Sequence, residues 1–194
     1  MITPDGWLSW AERKPGPAEK VYPQPNSASG FVPHSMVGRL VGWYSRLFDM
    51  SRDAAGRFTP NAAASVHGSI LLDGHVIQHY PFTASCWASG GTYQNTNFIA
   101  FENESLYTNG RPDESLDFTP EQVVSNLRII CELAAWKGWT PRRPRDLSDR
   151  AATLYEHNEC VTIFGGRGTS CPSARTAPLW AQIGAAMPEL EEQK

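Results

Sequence analysis

Ser65-Val66-His67-Gly68-Ser69-Ile70-Leu71-Leu72-Asp73-Gly74-His75-Val76-Ile77-Gln78-His79-Tyr80 reads as a β-hairpin. Val66, Ile70, Leu71 and Leu72 run into Asp73-Gly74, a dipeptide that reaches positive φ cheaply and so closes a tight turn, and His75–Tyr80 is the return strand. Downstream, residues 83–97 are rich in Ser, Thr, Gly and Asn, which predicts a long loop of the kind that lines a substrate groove. A third strand follows over Asn97–Glu102. Strand alternation puts Phe98, Ala100 and Glu102 on one face and Ile99 and Phe101 on the other. Upstream, a short strand leads into His34, and Val37, Leu40, Val41, Tyr44, Leu47 and Phe48 recur at helical spacing. Residues 49–61, with Asp53, Gly56, Pro60 and Asn61, form a loop.

Helices flank these strands. Thr119 is an N-cap, Pro120 occupies the first helical position, Gln122 closes a capping box, and Gly138 ends the helix. Val123, Leu127, Ile130, Cys131 and Ala134 are its expected buried stripe, with Cys131 an inert core residue. Arg142, Arg143 and Arg145 stand between prolines as a solvated basic loop. A weaker helix over Ser148–Tyr155 is expected to deliver His157 from its end. A last short helix covers about 178–186, with a fraying acidic tail beyond it. Residues 1–30 carry Pro15, Pro17, Pro23 and Pro25 with little periodicity. They read as an extended N-terminal lead-in that either packs through Trp7 and Trp10 or forms a mobile arm, ahead of a domain over 31–186. The sum is an α/β single domain, with a small central mixed β-sheet flanked by helices.

Composition bounds the function. A chain of 194 residues, 41% hydrophobic, can bury one real core. A net charge of −3 and a pI of about 5.9 give no basic footprint for nucleic acid and no steering to anionic membranes. No apolar run approaches the ~20 residues that cross a bilayer, so no membrane insertion is expected. The N-terminus lacks a basic region followed by an apolar core, so no secretory signal is expected and the chain starts in the cytoplasm. Four cysteines without a CxxC pair fit reduced thiols. A monomer is expected.

Two imidazoles and a thiolate, from His34, His157 and Cys171, make a three-ligand zinc set that leaves the fourth tetrahedral position for water, as hydrolytic zinc sites do. Spacing alone does not single out this triple, because any chain with several His and Cys offers others. His34 after a strand, His157 at a helix end and Cys171 before Pro172 each have an ordinary structural explanation as well.

The residues between the ligands carry a resemblance. Ser65-Val66-His67, the apolar strand, Asp73-Gly74 and Gln78-His79-Tyr80-Pro81 resemble a stretch of the type-2 N-acetylmuramoyl-L-alanine amidases, relatives of the peptidoglycan recognition proteins. In order, Cys86-Trp87-Ala88-Ser89-Gly90 is similar to that family's Trp loop, Asn97–Glu102 to its central strand, Thr119-Pro120-Glu121-Gln122 to its helix opening, and Thr169-Ser170-Cys171-Pro172 to its last ligand segment. The likeness covers residues 31–180. It implies Zn2+ held by His34, His157 and Cys171, with Glu102 as assisting carboxylate and Thr169 as donor to the oxyanion. Some relatives have Tyr immediately before the His of the first segment; Val66 stands here, so that role falls on Glu102. Ala88 replaces the family's usual His. Gly165-Gly166-Arg167-Gly168 lengthens the last loop, as a flap over the groove or a tolerated insertion. Trp87 and Tyr93 are candidates for stacking on sugar or peptide. His67 is grouped with them as a supporting or packing residue, while His75 and His79 are ordinary strand positions.

The implied reaction is hydrolysis of the amide between N-acetylmuramic acid and L-alanine in bacterial peptidoglycan, most like a phage endolysin held in the cytoplasm until release to the cell wall. A cytosolic recycling amidase is the nearby variant. Alternatives of other classes are a non-catalytic peptidoglycan-binding module and a cysteine peptidase using Cys86 or Cys171 with His157. A copper site of two His and one Cys lacks an axial partner.

Overall fold

The computed structural model describes residues 1–191. Its strands are β1 (Glu12–Arg13), β2 (Val21–Tyr22), β3 (Gly30–Ser35), β4 (Gly68–Ile70), β5 (Val76–Gln78), β6 (Ser85–Cys86), β7 (Phe98–Asn103), β8 (Tyr107–Thr108) and β9 (Arg111–Pro112). Its α-helices are α1 (Leu40–Leu47), α2 (Thr92–Asn97), α3 (Pro120–Lys137), α4 (His157–Phe164) and α5 (Ala177–Glu191). The central sheet has the order β1-β5-β4-β7-β3. It is mixed: β4 and β5 form the antiparallel hairpin, while β7 runs parallel to both β3 and β4. This is the α/β architecture expected, and none of the described helices is long and apolar enough to cross a membrane.

The hairpin turn is built as its residues require. Gly74 sits at φ +80°, and a Cβ there would meet Glu121 O at 2.8 Å, so the turn lies directly on the start of α3. Thr119 Oγ1 donates to Leu72 O and Ser125 Oγ to Gly74 O, which ties hairpin and helix together. The predicted capping box is present, with Thr119 and Gln122 bonded reciprocally and Gly138 left-handed at the far end.

The two sheet faces separate the core from the chemistry. Phe31, Ile70, Ile99 and Phe101 pack on Val123, Ile129, Ile130 and Leu133 of α3 and on Leu179 and Ile183 of α5. The opposite face carries Val32 and Phe98 against Tyr155, Cys160 and Ile163, and Ala100 against Trp43, Leu47 and Val66. Burying a residue of this size contributes about 1.5–3 kcal/mol, so both layers stabilise the sheet. His34 and Glu102 continue the second face, at the carboxyl ends of two parallel strands. There the side-chain row passes beyond its packed neighbours, and open α/β sheets form their ligand sites there.

Several expectations are corrected. Residues 83–97 are not one loop: Ser85–Cys86 pairs with β2, and α2 forms just before β7. No helix covers 148–155; that segment turns, and Leu154 bridges to Phe31 on the outer side of β3. His157 therefore opens a helix instead of following one. On α3, Val123, Ile130 and Ala134 are buried as expected, but the face turns toward Gln122, Asn126, Ile129 and Leu133, leaving Leu127 half-buried and Cys131 exposed. Arg142 and Arg145 pair with Asp149, and Arg143 with Glu159, so the basic loop is an ion-paired brace. The last helix runs on to Glu191, past the expected end at 186, and the rest of the expected fraying tail lies outside the described residues. At the other end, Leu8 is fully buried, Trp10 Nε1 donates to Glu132, and β1 adds a parallel edge strand to β5.

Candidate active site

β3 is an edge strand, and Pro33 near its end offers no N–H to its open side. Over its first half that side is covered: Phe31 N–H donates to Thr153 O, and Tyr155 N–H to Phe31 O. Beyond Pro33 no backbone strand follows. The Ser35 N–H instead donates to Cys171 Sγ at 3.2 Å. The gap left along this edge is where His157 and Cys171 enter.

His34, in register with Glu102 across β3 and β7, is only 2% exposed. Its Nδ1 lies 3.7 Å from Cys171 Sγ and its Nε2 3.4 Å from Ser89 Oγ. His157 is the first residue of α4. A Glu156–Glu159 capping box fixes that helix start, Arg143 grips both oxygens of Glu159, and Trp180 Nε1 donates to Glu156. The imidazoles of His34 and His157 stand 4.5 Å apart, centre to centre. Asn158 N–H donates to Cys171 O at 3.0 Å, which holds the Cys171 loop against the same helix start.

The outcome is that one ligand atom each from His34, His157 and Cys171 lies within 4.8 Å of the others. Residues 137 positions apart in the chain thus meet at one point. His157 Nε2 is buried there without a hydrogen-bond partner. An orphaned buried nitrogen is costly in a folded protein, and coordination would satisfy it. Burial lowers His157 to about 4; burial, then the neighbouring His157, holds His34 well below its ordinary value. Both rings are therefore neutral at pH 7, the form that ligates. The donor set fits a borderline-soft divalent cation. Burial also pushes the Cys171 thiol well above its ordinary range, the opposite of what an activated cysteine nucleophile requires.

Glu102 Oε2 is buried with no partner either. Burial, with some help from Glu114 and against Arg46 and Arg175, pushes its carboxyl up to about 8. Glu104, two residues on, is committed elsewhere: its oxygens accept from the N–H groups of Leu40 and Leu72. Geometry thus separates two carboxylates that sequence spacing alone places on a common face. Thr169 lines the same groove; its Oγ accepts from Cys171 N–H at 3.1 Å, leaving the hydroxyl proton available to donate.

The groove has a volume of about 380 Å³ and is walled by Trp43, Arg46, Trp87, Arg167 and Thr169, with the ligand triple and Glu102 along it. Val66 and Ala88 line it too. Gly166 packs so closely that a Cβ there would meet Gly90 O at 2.9 Å, so the glycine-rich segment lies against the Trp87 loop. Trp87 stands edge-on to Phe58 and Tyr22. Tyr93 is not among the groove-lining residues; it is 51% exposed and stacks on Phe164. His67 is buried outside the groove lining, its Nε2 on Ala84 O and its Nδ1 accepting from Ala100 N–H, so it braces the sheet. Trp43 and Arg46, one helical turn apart on α1, were missed as groove residues. The helical spacing was visible, but which face meets the groove depends on how α1 crosses the sheet.

The sequence matches the family described as N-acetylmuramoyl-L-alanine amidase over residues 24–174. It is 30% identical over 109 residues to the 1,6-anhydro-N-acetylmuramyl-L-alanine amidase AmpD of Citrobacter freundii, a stretch covering 48% of this chain and 55% of that protein. The chain thus matches about half the length of that curated relative. The fold is similar to that of the N-acetylmuramoyl-L-alanine amidase LysC from Clostridium intestinale URNW, with a TM-score of 0.57 and 15% identity over 93% of this chain and 99% of that one. It is similar also to a selenomethionine derivative of AmpD, with a TM-score of 0.56 and 19% identity over 95% and 98% of the two chains. The family match spans most of the chain and takes in both β3 and the Cys171 loop, and on that ground the chain belongs to the N-acetylmuramoyl-L-alanine amidase family.

Proposed function

We propose that this chain is a zinc-dependent peptidoglycan hydrolase that acts as a monomer on the amide joining N-acetylmuramic acid to L-alanine. The observation that carries the reading is the meeting of His34, His157 and Cys171 beside Glu102, along a groove of about 380 Å³. His34, His157 and Cys171 would hold the ion, which when bound supplies Lewis-acid polarisation of a carbonyl and a lowered pKa for water. Glu102, which lines the groove with one buried, unpartnered oxygen, takes the proton of the attacking water and returns it to the leaving amine. Without metal the buried carboxyl holds its proton up to about 8; a cation bound beside it would favour the carboxylate, the form that can accept the water's proton. Thr169 donates its hydroxyl proton to the developing oxyanion. Trp87 and Arg167 line the groove where sugar and peptide would lie.

We assign the lytic setting, in which the enzyme reaches the wall from the cytoplasm once the membrane is breached, as in an endolysin. A second reading, a recycling role on small soluble muropeptides, is favoured by the identity to a relative named for a 1,6-anhydro substrate. One experiment addresses both. Zinc-loaded protein is incubated with purified walls and with soluble anhydro-muropeptide, and new N-terminal L-alanine is counted with and without chelator. Chelator-sensitive release from walls supports the lytic reading, and release only from the soluble substrate selects recycling. No release from either overturns the hydrolase assignment. Loss of activity on thiol alkylation, with indifference to zinc removal, would select a cysteine mechanism instead.

A further inference from the structure

Arg175 lies four residues beyond Cys171, just ahead of α5, and its side chain is fully buried. Every arm of the guanidinium is engaged. Nη1 donates to Ser35 Oγ at 2.6 Å and Ser105 Oγ at 3.2 Å, Nη2 to Glu104 O at 3.0 Å, and Nε to Leu116 O at 3.0 Å. Glu114 supplies the counter-charge: its Oε1 stands 3.7 Å from Nη1 and accepts from Ser105 Oγ at 2.7 Å, while Oε2 accepts from Ser35 Oγ. Ser35 is thus gripped from both sides, its hydroxyl accepting from Arg175 and donating to Glu114.

Ser35 is also the residue after His34, and its N–H is the donor to Cys171 Sγ. The guanidinium therefore joins the end of β3, which carries His34, to the continuation of β7, which carries Glu102, and to the chain just past Cys171. Packing alone does not call for a charge here, because a buried ion pair is often no more stabilising than apolar side chains of the same volume. An apolar side chain would fill the space but hold no hydroxyl.

We propose that the buried Arg175–Glu114 pair is a positioning device: by clamping the Ser35 hydroxyl it aims the Ser35 N–H at the Cys171 sulfur and sets Cys171 and His34 at ligating separation before an ion arrives. This rests on the metal-centre reading above. Arg175 and Glu114 are positioning residues, since they act through Ser35 and touch neither the ion nor the reacting atoms. Partners of this kind, hydrogen-bonded behind a metal ligand, typically change metal affinity by about 10- to 100-fold when removed.

The test uses Arg175→Met and Glu114→Gln beside the wild type. Zn2+ affinity is measured by competition with a chromophoric chelator, the thiolate-to-metal absorption band is recorded with Co2+, and thermal unfolding is followed without metal. Both variants are expected to bind Zn2+ about 10- to 100-fold more weakly, with a weakened or shifted cobalt–thiolate band. Glu114 is partly exposed, so Glu114→Gln is expected to fold, and it decides alone if Arg175→Met does not. Wild-type Zn2+ affinity and an unaltered cobalt spectrum in a folded variant, whatever its melting temperature, overturn the proposal and leave a core ion pair. Failure of the wild type itself to take up one Zn2+ overturns the metal-centre reading, and this inference with it.

Discussion

Glu102→Gln is expected to make the metal-free protein more stable while abolishing its activity. Burial pushes the Glu102 carboxyl from its ordinary 4.5 to about 8. In the unfolded chain the group loses its proton above 4.5, whereas in the folded chain it keeps it up to about 8. Across that window the folded state holds the extra proton, so stability falls as pH rises and levels off above 8. At about 1.36 kcal/mol per pH unit, the gap of about 3.5 units caps the loss at about 5 kcal/mol, of which about 3 kcal/mol is already present at pH 7. Gln has nearly the same shape and no ionisation, so it escapes this pH-dependent loss. The assay is urea unfolding of chelator-treated wild type and variant at pH 5, 7 and 8.5. The variant's advantage should widen by about 2–3 kcal/mol from pH 5 to 7. Loaded with zinc, the wild type should regain part of it, because a nearby cation favours the carboxylate. A stability difference that stays flat with pH, or a variant that is less stable throughout, refutes the electrostatic account of this site.

Two further outcomes follow from the geometry. Thr169→Val keeps the shape and removes the hydroxyl proton, so kcat on walls should fall by about 10²-fold with zinc content unchanged; an unaltered kcat would reduce Thr169 to a turn residue. Gly68→Ala should destabilise the protein by about 1–3 kcal/mol in urea unfolding, because the added Cβ would meet Phe101 Cε1 at 2.3 Å and Ile77 O at 2.6 Å in the middle of the sheet, and wild-type stability would show that β4 and β7 can separate freely.

Elements with local causes were legible in the chain. The Asp73-Gly74 turn, the Thr119–Gln122 capping box and the alternation of Phe98–Glu102 each depend on residues within a few positions of one another. Where local cues were weak, tertiary contacts decided. The segment 148–155 has some helical character, yet it turns, and Phe31 and Arg142 claim the backbone N–H and C=O groups of residues 153–155 beside β3. The 92–97 stretch is polar and looks like a loop, but it folds as α2 with Gln94 and Asn95 buried as bonding groups. On α3, the inward face depends on which sheet residues it meets, and Cys131 falls outside it.

The sequence by itself determined the class of chemistry: which donor atoms the chain possesses, the order in which they occur, and the short-range signals that make strands and helices between them. Only the tertiary structure decided which donors meet. His34 and Cys171 approach each other because β3 runs uncovered past Pro33, leaving an edge N–H that needs a partner. Glu102 differs from Glu104 because one carboxylate faces a groove and the other is bonded to backbone. Tyr93 turns to Phe164 because α2 exists. Bond geometry and local entropy act over a few residues and leave their mark in the chain. Burial and charge act through space, and only the packed fold says what lies next to what.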